Sequence, residues 1–333
     1  MLLRTGLFPT ALDDDPVKLA DYPRFAYLAV LVGVVGHASS EFFAVLSGVF
    51  GPEVSVWRYL LGGAGLIVLS LSMPGSRDLI TPLKEEGLRL VLLAMIGVSG
   101  AYLFFHWALD YATVVQVGTL ITTMPIFIAL INLWVNRQPI GAPKALSAGF
   151  AVLGIALLLT DGYLMQLAGS GQQLVGLGMT LLCGFLGAGY AVLAKPLMNR
   201  YGAIRITTIT MSLGGAGLWI IVGAAWGIWV DPSRLFDLDP VASASLLTLA
   251  LFNTTLTQVL FFGGLAAVPD ITRGSYLFFL KPVFAALLAY LFLSQPITAL
   301  QLVAIAVVVS SVAAEALWAR RLKTRSLAEE KHG

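Results

Sequence analysis

The sequence predicts an all-α polytopic membrane protein with ten transmembrane helices, arranged as two inverted five-helix repeats around a central cavity. Three observations predict it: a composition too poor in charge to face water, ten apolar runs of membrane-crossing length, and a repeat relating the two halves. Of 333 residues, 58% are hydrophobic and 11% charged, against roughly 25% charged in soluble domains. With a mean hydropathy of +0.87, the chain cannot cover its own surface with polar groups, so lipid must surround most of it. That excludes a soluble enzyme, and it excludes nucleic acid as a partner, because such binding needs a basic face. The single cysteine, Cys183, lies inside an apolar run, which leaves no disulfide framework and no thiolate metal cluster.

A helix needs about 17–25 apolar residues to cross the hydrocarbon core. Ten runs qualify, and their unbroken apolar character fits helices rather than the alternating strands of a barrel. The first, 25–47, contains His37 and Glu41. The second, 54–73, carries the glycine cluster Gly62–Gly65, and the third, 88–109, carries Tyr102, His106 and Trp107. The fourth, 112–135, spaces Gln116, Thr119 and Thr123 at helical intervals ahead of Pro125. The fifth is 144–160, the sixth, 174–194, holds Cys183, and the seventh, 204–229, repeats the glycines as Gly214–Gly217. The eighth, 241–264, is the most polar, with Asn253, Thr254, Thr257 and Gln258. The ninth, 271–293, contains Tyr276, Lys281 and Pro282, and the tenth, 297–318, contains Glu315.

Charge sets the expected orientation. Of twenty basic residues, all but Arg58, Arg234 and Lys281 (20 − 3 = 17) fall on one side when the N-terminus is placed in the cytoplasm. Residues 1–24 are then a cytoplasmic segment, with Asp13, Asp14 and Asp15 where a signal peptide would be basic. Residues 321–333 form a basic cytoplasmic tail. Both termini are expected inside, in the cell (inner) membrane, with Arg58 near the outer end of the second span.

A shift of 157 residues lays Pro125-Ile126-Phe127 on Pro282-Val283-Phe284, and Gln138-Pro139-Ile140 on Gln295-Pro296-Ile297. A shift of 152 lays the run Leu61 to Leu66 on Leu213 to Leu218 without a mismatch. The halves are 25–160 and 174–320, with five spans each; five is odd, so the second enters the membrane reversed. Inverted repeats with a midplane binding site are the architecture of secondary transporters.

The stretch from Gly100-Ala101-Tyr102 to Leu159, with Pro125 inside it, resembles the drug/metabolite transporter superfamily, specifically its ten-span EamA-domain transporters. So does the stretch from Leu265 to Ala313 around Lys281-Pro282-Val283. The resemblance covers about residues 25–320. It implies two inverted bundles around a central cavity and the export of small metabolites. Where that family commonly ends its fourth and ninth spans with a glutamate, this chain has Gln138 and Gln295.

Ionisable groups inside the membrane give the sharpest functional signal, since each costs ~2.5–3.5 kcal/mol at the bilayer centre. Glu41, with His37 one turn before it, and Lys281 are expected to face the cavity and compensate each other, directly or through substrate. Their titration, or that of His37, is a route to protons as the coupling ion. Glu315 is expected to reach the headgroups. Asn253, Thr257 and Gln258 form a polar lining, Gln116 and Thr123 add to it, and Tyr102 and Tyr276 supply aromatic walls. Pro125 and Pro282 each remove a backbone donor and loosen a helix. No P-loop and no metal-ligand cluster occurs, so no cofactor is expected. The partners expected are a small-molecule substrate and membrane lipid; two repeats in one chain remove the need for a dimer without forbidding one. Two other readings stay open, an intramembrane enzyme and a receptor or scaffold. For the former, Gly97-Val98-Ser99-Gly100 resembles a rhomboid-type signature, but Ser99 and His106 stand two turns apart on one helix, out of hydrogen-bond reach.

Overall fold

The computed structural model describes residues 19–49, 51–112, 114–160, 171–293 and 298–329, and among these the chain is helical with no strand. Eight helices are long and apolar enough to cross a membrane. In chain order these are α1 (Pro23–Leu46), α2 (Pro52–Ser72), α3 (Ile80–Ala108), α4 (Gln116–Asn136), α6 (Gly171–Tyr201), α7 (Ala203–Trp226), α8 (Pro240–Ala267) and α9 (Ile271–Leu288). Between and after them lie α5 (Ala142–Thr160) and α10 (Ala299–Glu329), whose apolar parts, Ala142–Leu157 and Ala299–Glu315, are shorter. The ten runs of the sequence thus become eight candidate spans and two shorter apolar helices.

Helix starts follow local chemistry. Pro23, Pro52 and Pro240 occupy the first turns of α1, α2 and α8, where a missing N–H costs nothing and a fixed φ helps. The Asp239 carboxylate accepts hydrogen bonds from the Val241 and Ala242 N–H groups, and that of Asp270 from the Arg273 N–H. Ahead of α3, bonds from the Thr81 and Ile80 N–H groups hold the Asp78 carboxyl below the ordinary carboxylate range.

Several helices are irregular inside. α1 breaks at Ser39. α3 widens into a π-helix over Leu93–Gly100, and α8 does so over Leu251–Leu256. In both, side-chain hydroxyls bond carbonyls five residues back: Ser99 Oγ donates to Ala94 O at 3.3 Å and Thr254 Oγ1 to Leu249 O at 2.9 Å. α4 and α9 tighten into 3₁₀ turns over Ile121–Thr123 and Tyr276–Leu280. Adding 157 to 121–123 gives 278–280, and adding it to 93–100 gives 250–257, so these distortions share the spacing of the proline motifs. Pro125 and Pro282 fall in the first α-helical turn after each 3₁₀ break. The irregularity therefore precedes the proline, because a first-turn proline interrupts no hydrogen bond.

The most extensive packing joins α2 to α7, α5 to α10, α1 to α8 and α3 to α6. Between α2 and α7 the glycine clusters let backbones touch: a Cβ on Gly215 would lie 2.6 Å from the Tyr59 carbonyl oxygen. At one end of the bundle, Lys144 bridges α5 to Asp270 at 2.6 Å, and Arg273 meets Glu315 of α10 at 2.9 Å. Asn132 of α4 donates to Thr272 Oγ1 at 3.1 Å and to Gln138 Oε1 at 2.9 Å. Glu315 does not reach headgroups: it is 4% exposed because Arg273 holds it inside. Gln295 lies outside the described residues.

Candidate functional site

Seven helices, α1 to α4, α6, α8 and α9, converge on a cavity of ≈ 40 Å³, and among the described residues α5, α7 and α10 contribute no wall. At about 10–15 Å³ per water, that is room for only about three waters.

Lys281 stands at the end of the 3₁₀ turn of α9, where the break aims it inward, and its Nζ donates to Glu41 Oε1. The two side chains are 5% and 6% exposed. Ser40 Oγ adds a hydrogen bond to Glu41 Oε2 at 3.3 Å, and Lys281 Nζ sits 5.9 Å from the ring centres of both Phe105 and Phe278. The break at Ser39 puts Glu41 on a separate helical segment from His37. His37 is held edge-on against Phe261 at 4.9 Å, and its Nε2 has no hydrogen-bond partner among the described residues.

Sequence reasoning missed Arg58. It lies six residues into α2, ~9 Å along the axis, and is 1% exposed. Its Nε donates to Thr254 Oγ1 at 2.9 Å and its Nη2 to the Asn253 carbonyl at 3.1 Å. Its guanidinium carbon lies 5.5 Å from the Tyr102 ring centre and 5.6 Å from that of Tyr59. No carboxylate pairs with it among the described residues. The one available signal was that Arg58 is among only three basic residues away from the basic side; its burial in the bundle comes from the packing of other helices over it.

Of the other expected residues, Tyr102 is on the wall, its hydroxyl accepting from Gln258 Nε2 at 2.7 Å. Gln258 also donates to the Tyr59 hydroxyl at 3.2 Å, so it supports the wall from behind. Asn253 Nδ2 donates to Gly36 O at 2.6 Å and Ser39 Oγ at 3.0 Å, fastening α8 to the break in α1. Thr257 is buried against Gly36 in the same seam. Of the ten side chains expected at the site, His37, Tyr102 and Lys281 line the cavity, Glu41, Asn253, Thr257 and Gln258 stand behind that wall, and the other three lie elsewhere. Tyr276 points away, its hydroxyl donating to Lys144 O at 2.9 Å in a satellite core with Ala151 and Val308. Thr123 Oγ1 bonds Leu120 O at 2.7 Å within its own helix, and Gln116 is buried elsewhere on α4. Ser99 and His106 have separate partners, Gly214 O at 2.8 Å for the former and Ser55 Oγ at 2.7 Å for the latter.

The sequence pattern of the EamA-like transporter family matches residues 24–160 and again residues 174–314. An uncharacterized transporter of Archaeoglobus fulgidus is 28% identical over 244 residues, 73% of this chain and 80% of that one. Protein PecM of Dickeya dadantii is 29% identical over 237 residues, 70% of this chain and 75% of that one. A solved crystal structure shares the fold with a TM-score of 0.73 at 17% identity, covering 89% of this chain and 98% of the other.

Proposed function

The chain belongs to the EamA-like transporter family of multi-pass membrane proteins, within the drug/metabolite transporter superfamily, and from that premise we propose that it is a secondary active transporter exporting small metabolites by alternating access. The solutes are amino-acid-like or amphiphilic. The moving parts are two inverted five-helix halves, 25–160 and 174–320, of a ten-helix bundle. Support comes from the double family match and from helix distortions that share the 157-residue spacing. The basic residues gathered on one side support a cell-membrane orientation with both termini cytoplasmic. Export as the direction rests on family likeness.

The observation that carries the reading is a buried ion pair, Glu41 with Lys281, where seven helices converge. A static scaffold gains nothing from desolvating two charges, whereas a carrier can exchange that pair for bonds to solute or to a proton. In this reading Glu41 takes the proton, Lys281 then loses its partner, and the seam between α1 and α9 loosens.

Counterflow into proteoliposomes tests it, with a panel of labelled small metabolites and an imposed pH gradient. Saturable, pH-sensitive counterflow is expected, and folded Glu41→Gln and Lys281→Gln should each slow it about tenfold, ~1.4 kcal/mol of barrier. Wild-type rates in both variants, or unsaturable flux, would sink the reading.

A further inference from the structure

We propose that Arg58 is the anchor for an anionic group on the transported solute, and that the solute is an organic monoanion: a carboxylate on an apolar, preferably aromatic, body. The inference rests on the carrier reading above and narrows its solute.

The argument begins with charge. The cavity wall carries two cations, Arg58 and Lys281, and among the described residues the carboxylate beside it is Glu41, behind Lys281. Glu41 is taken by Lys281, so one positive charge is left over, and it is Arg58. A guanidinium only 1% exposed and without a counter-ion is costly. Hydrogen bonds to the Thr254 hydroxyl and the Asn253 carbonyl orient it but supply no charge. They also use only Nε and Nη2 of a fork with five N–H donors, leaving Nη1 without a partner among the described residues, on a side chain that forms part of the cavity wall.

A second, independent gap lies on the same wall. His37 is 9% exposed, and its Nε2 has no hydrogen-bond partner. In the tautomer that protonates Nε2 it is a further neutral donor for an oxyanion. The guanidinium fork matches a carboxylate in two parallel bonds. A phosphate monoester, with a charge of about −1.5 to −2, would have to draw Lys281 away from Glu41 and strand that carboxylate. A zwitterion would leave the cavity charge uncancelled. A monoanion closes the balance.

The rest of the wall states what the anion is attached to. Phe105, Phe261, Phe262, Phe278, Ile121 and Met124 surround the space, offering ring faces and edges and few hydrogen-bonding groups. The present volume of ≈ 40 Å³ admits a carboxylate-sized head but not a body, so loading must spread the helices that carry these rings.

A matched series tests the charge at constant ring: hydrocinnamate, hydrocinnamide, phenylpropylamine and phenylalanine, each added to purified wild type, Arg58→Gln and Arg58→Lys in thermal-shift assays. Hydrocinnamate is expected to raise the wild-type melting temperature in a concentration-dependent way, with the amide and amine silent and phenylalanine weaker. Arg58→Gln should lose the response and Arg58→Lys keep part of it. Stabilisation of Arg58→Gln by hydrocinnamate, a stronger effect from any of the other three, or silence toward all four overturns the proposal. Ligand-free melting gives a second reading independent of solute. Arg58→Gln keeps amide donors for Thr254 and Asn253 and removes the stranded charge, so a melting temperature equal to or above wild type supports the proposal. A drop, or a failure to fold, makes Arg58 a structural clamp and overturns it. Counterflow in parallel separates the two levels: exchange of phenylpropylamine but not hydrocinnamate preserves the carrier and removes the anion anchor.

Discussion

Glu41 and Lys281 are tolerable inside the bundle only because each has the other. Removing one partner strands a buried charge. Lys281→Met alone should therefore lower stability by about 3–5 kcal/mol, while Glu41→Gln with Lys281→Met together should cost clearly less than the sum of the singles. Thermal unfolding in detergent, run as a double-mutant cycle, checks this; additive losses would show that the contact carries no coupling. This pair was legible in the sequence because an acid or a lysine within an apolar run stands out with no knowledge of its neighbours. Arg58 was not, since it lies close enough to a span end to pass for an interfacial cation. Its burial is set by α8 and α3 packing over it, which no local pattern records. Tyr276 failed in the opposite sense: near the lysine in sequence, it is turned toward α5 by the 3₁₀ segment.

The helices themselves were read well where length and apolarity suffice, and poorly where hydrogen-bond geometry changes within them. Nothing in the composition of Leu93–Gly100 or Leu251–Leu256 separates a π-helix from an α-helix. The choice is made by hydroxyls reaching back five residues and by Arg58 taking the Asn253 carbonyl. The glycine clusters were legible as close contacts, and α2 against α7 gives them a quantitative form. Gly215→Ala would drive a methyl into the Tyr59 carbonyl, which no rotamer can relieve, so the two helices must part and the melting temperature should fall by several degrees. Gly178→Ala is the control: nothing lies within 4 Å of its added methyl, and the helix should gain up to ~1 kcal/mol from better propensity. Equal effects from the two substitutions would mean that the α2–α7 approach is not tight.

For the molecule as a whole, the start of α9 is held by α5 through Lys144–Asp270, by α10 through Arg273–Glu315, and by α4 through Asn132–Thr272. α9 also carries Lys281, so this end of the bundle and the cavity share one lever. Asp270→Asn with Glu315→Gln should free that lever and expose the cavity wall. Cys183, 5% exposed and the only cysteine in the chain, then reports the opening directly: its alkylation by a maleimide should speed up several-fold, and an unchanged rate would show that these bridges do not close the site. The repeat was visible from two proline motifs, but which helices line the cavity was not, because α5 and α10 are as apolar as the rest and pack on each other instead. The unpaired guanidinium of Arg58 bears on energetics across the membrane. In the alternating-access cycle proposed above, an empty site would carry one net positive charge from one electrical side to the other each time the barrier moved across the cavity, even if the atom scarcely shifted. An elementary charge crossing the full field is worth about 2.3 kcal/mol per 100 mV. Under the anion-anchor proposal a monoanionic passenger would cancel that charge, so the membrane voltage would drive the empty return stroke and leave the loaded stroke alone.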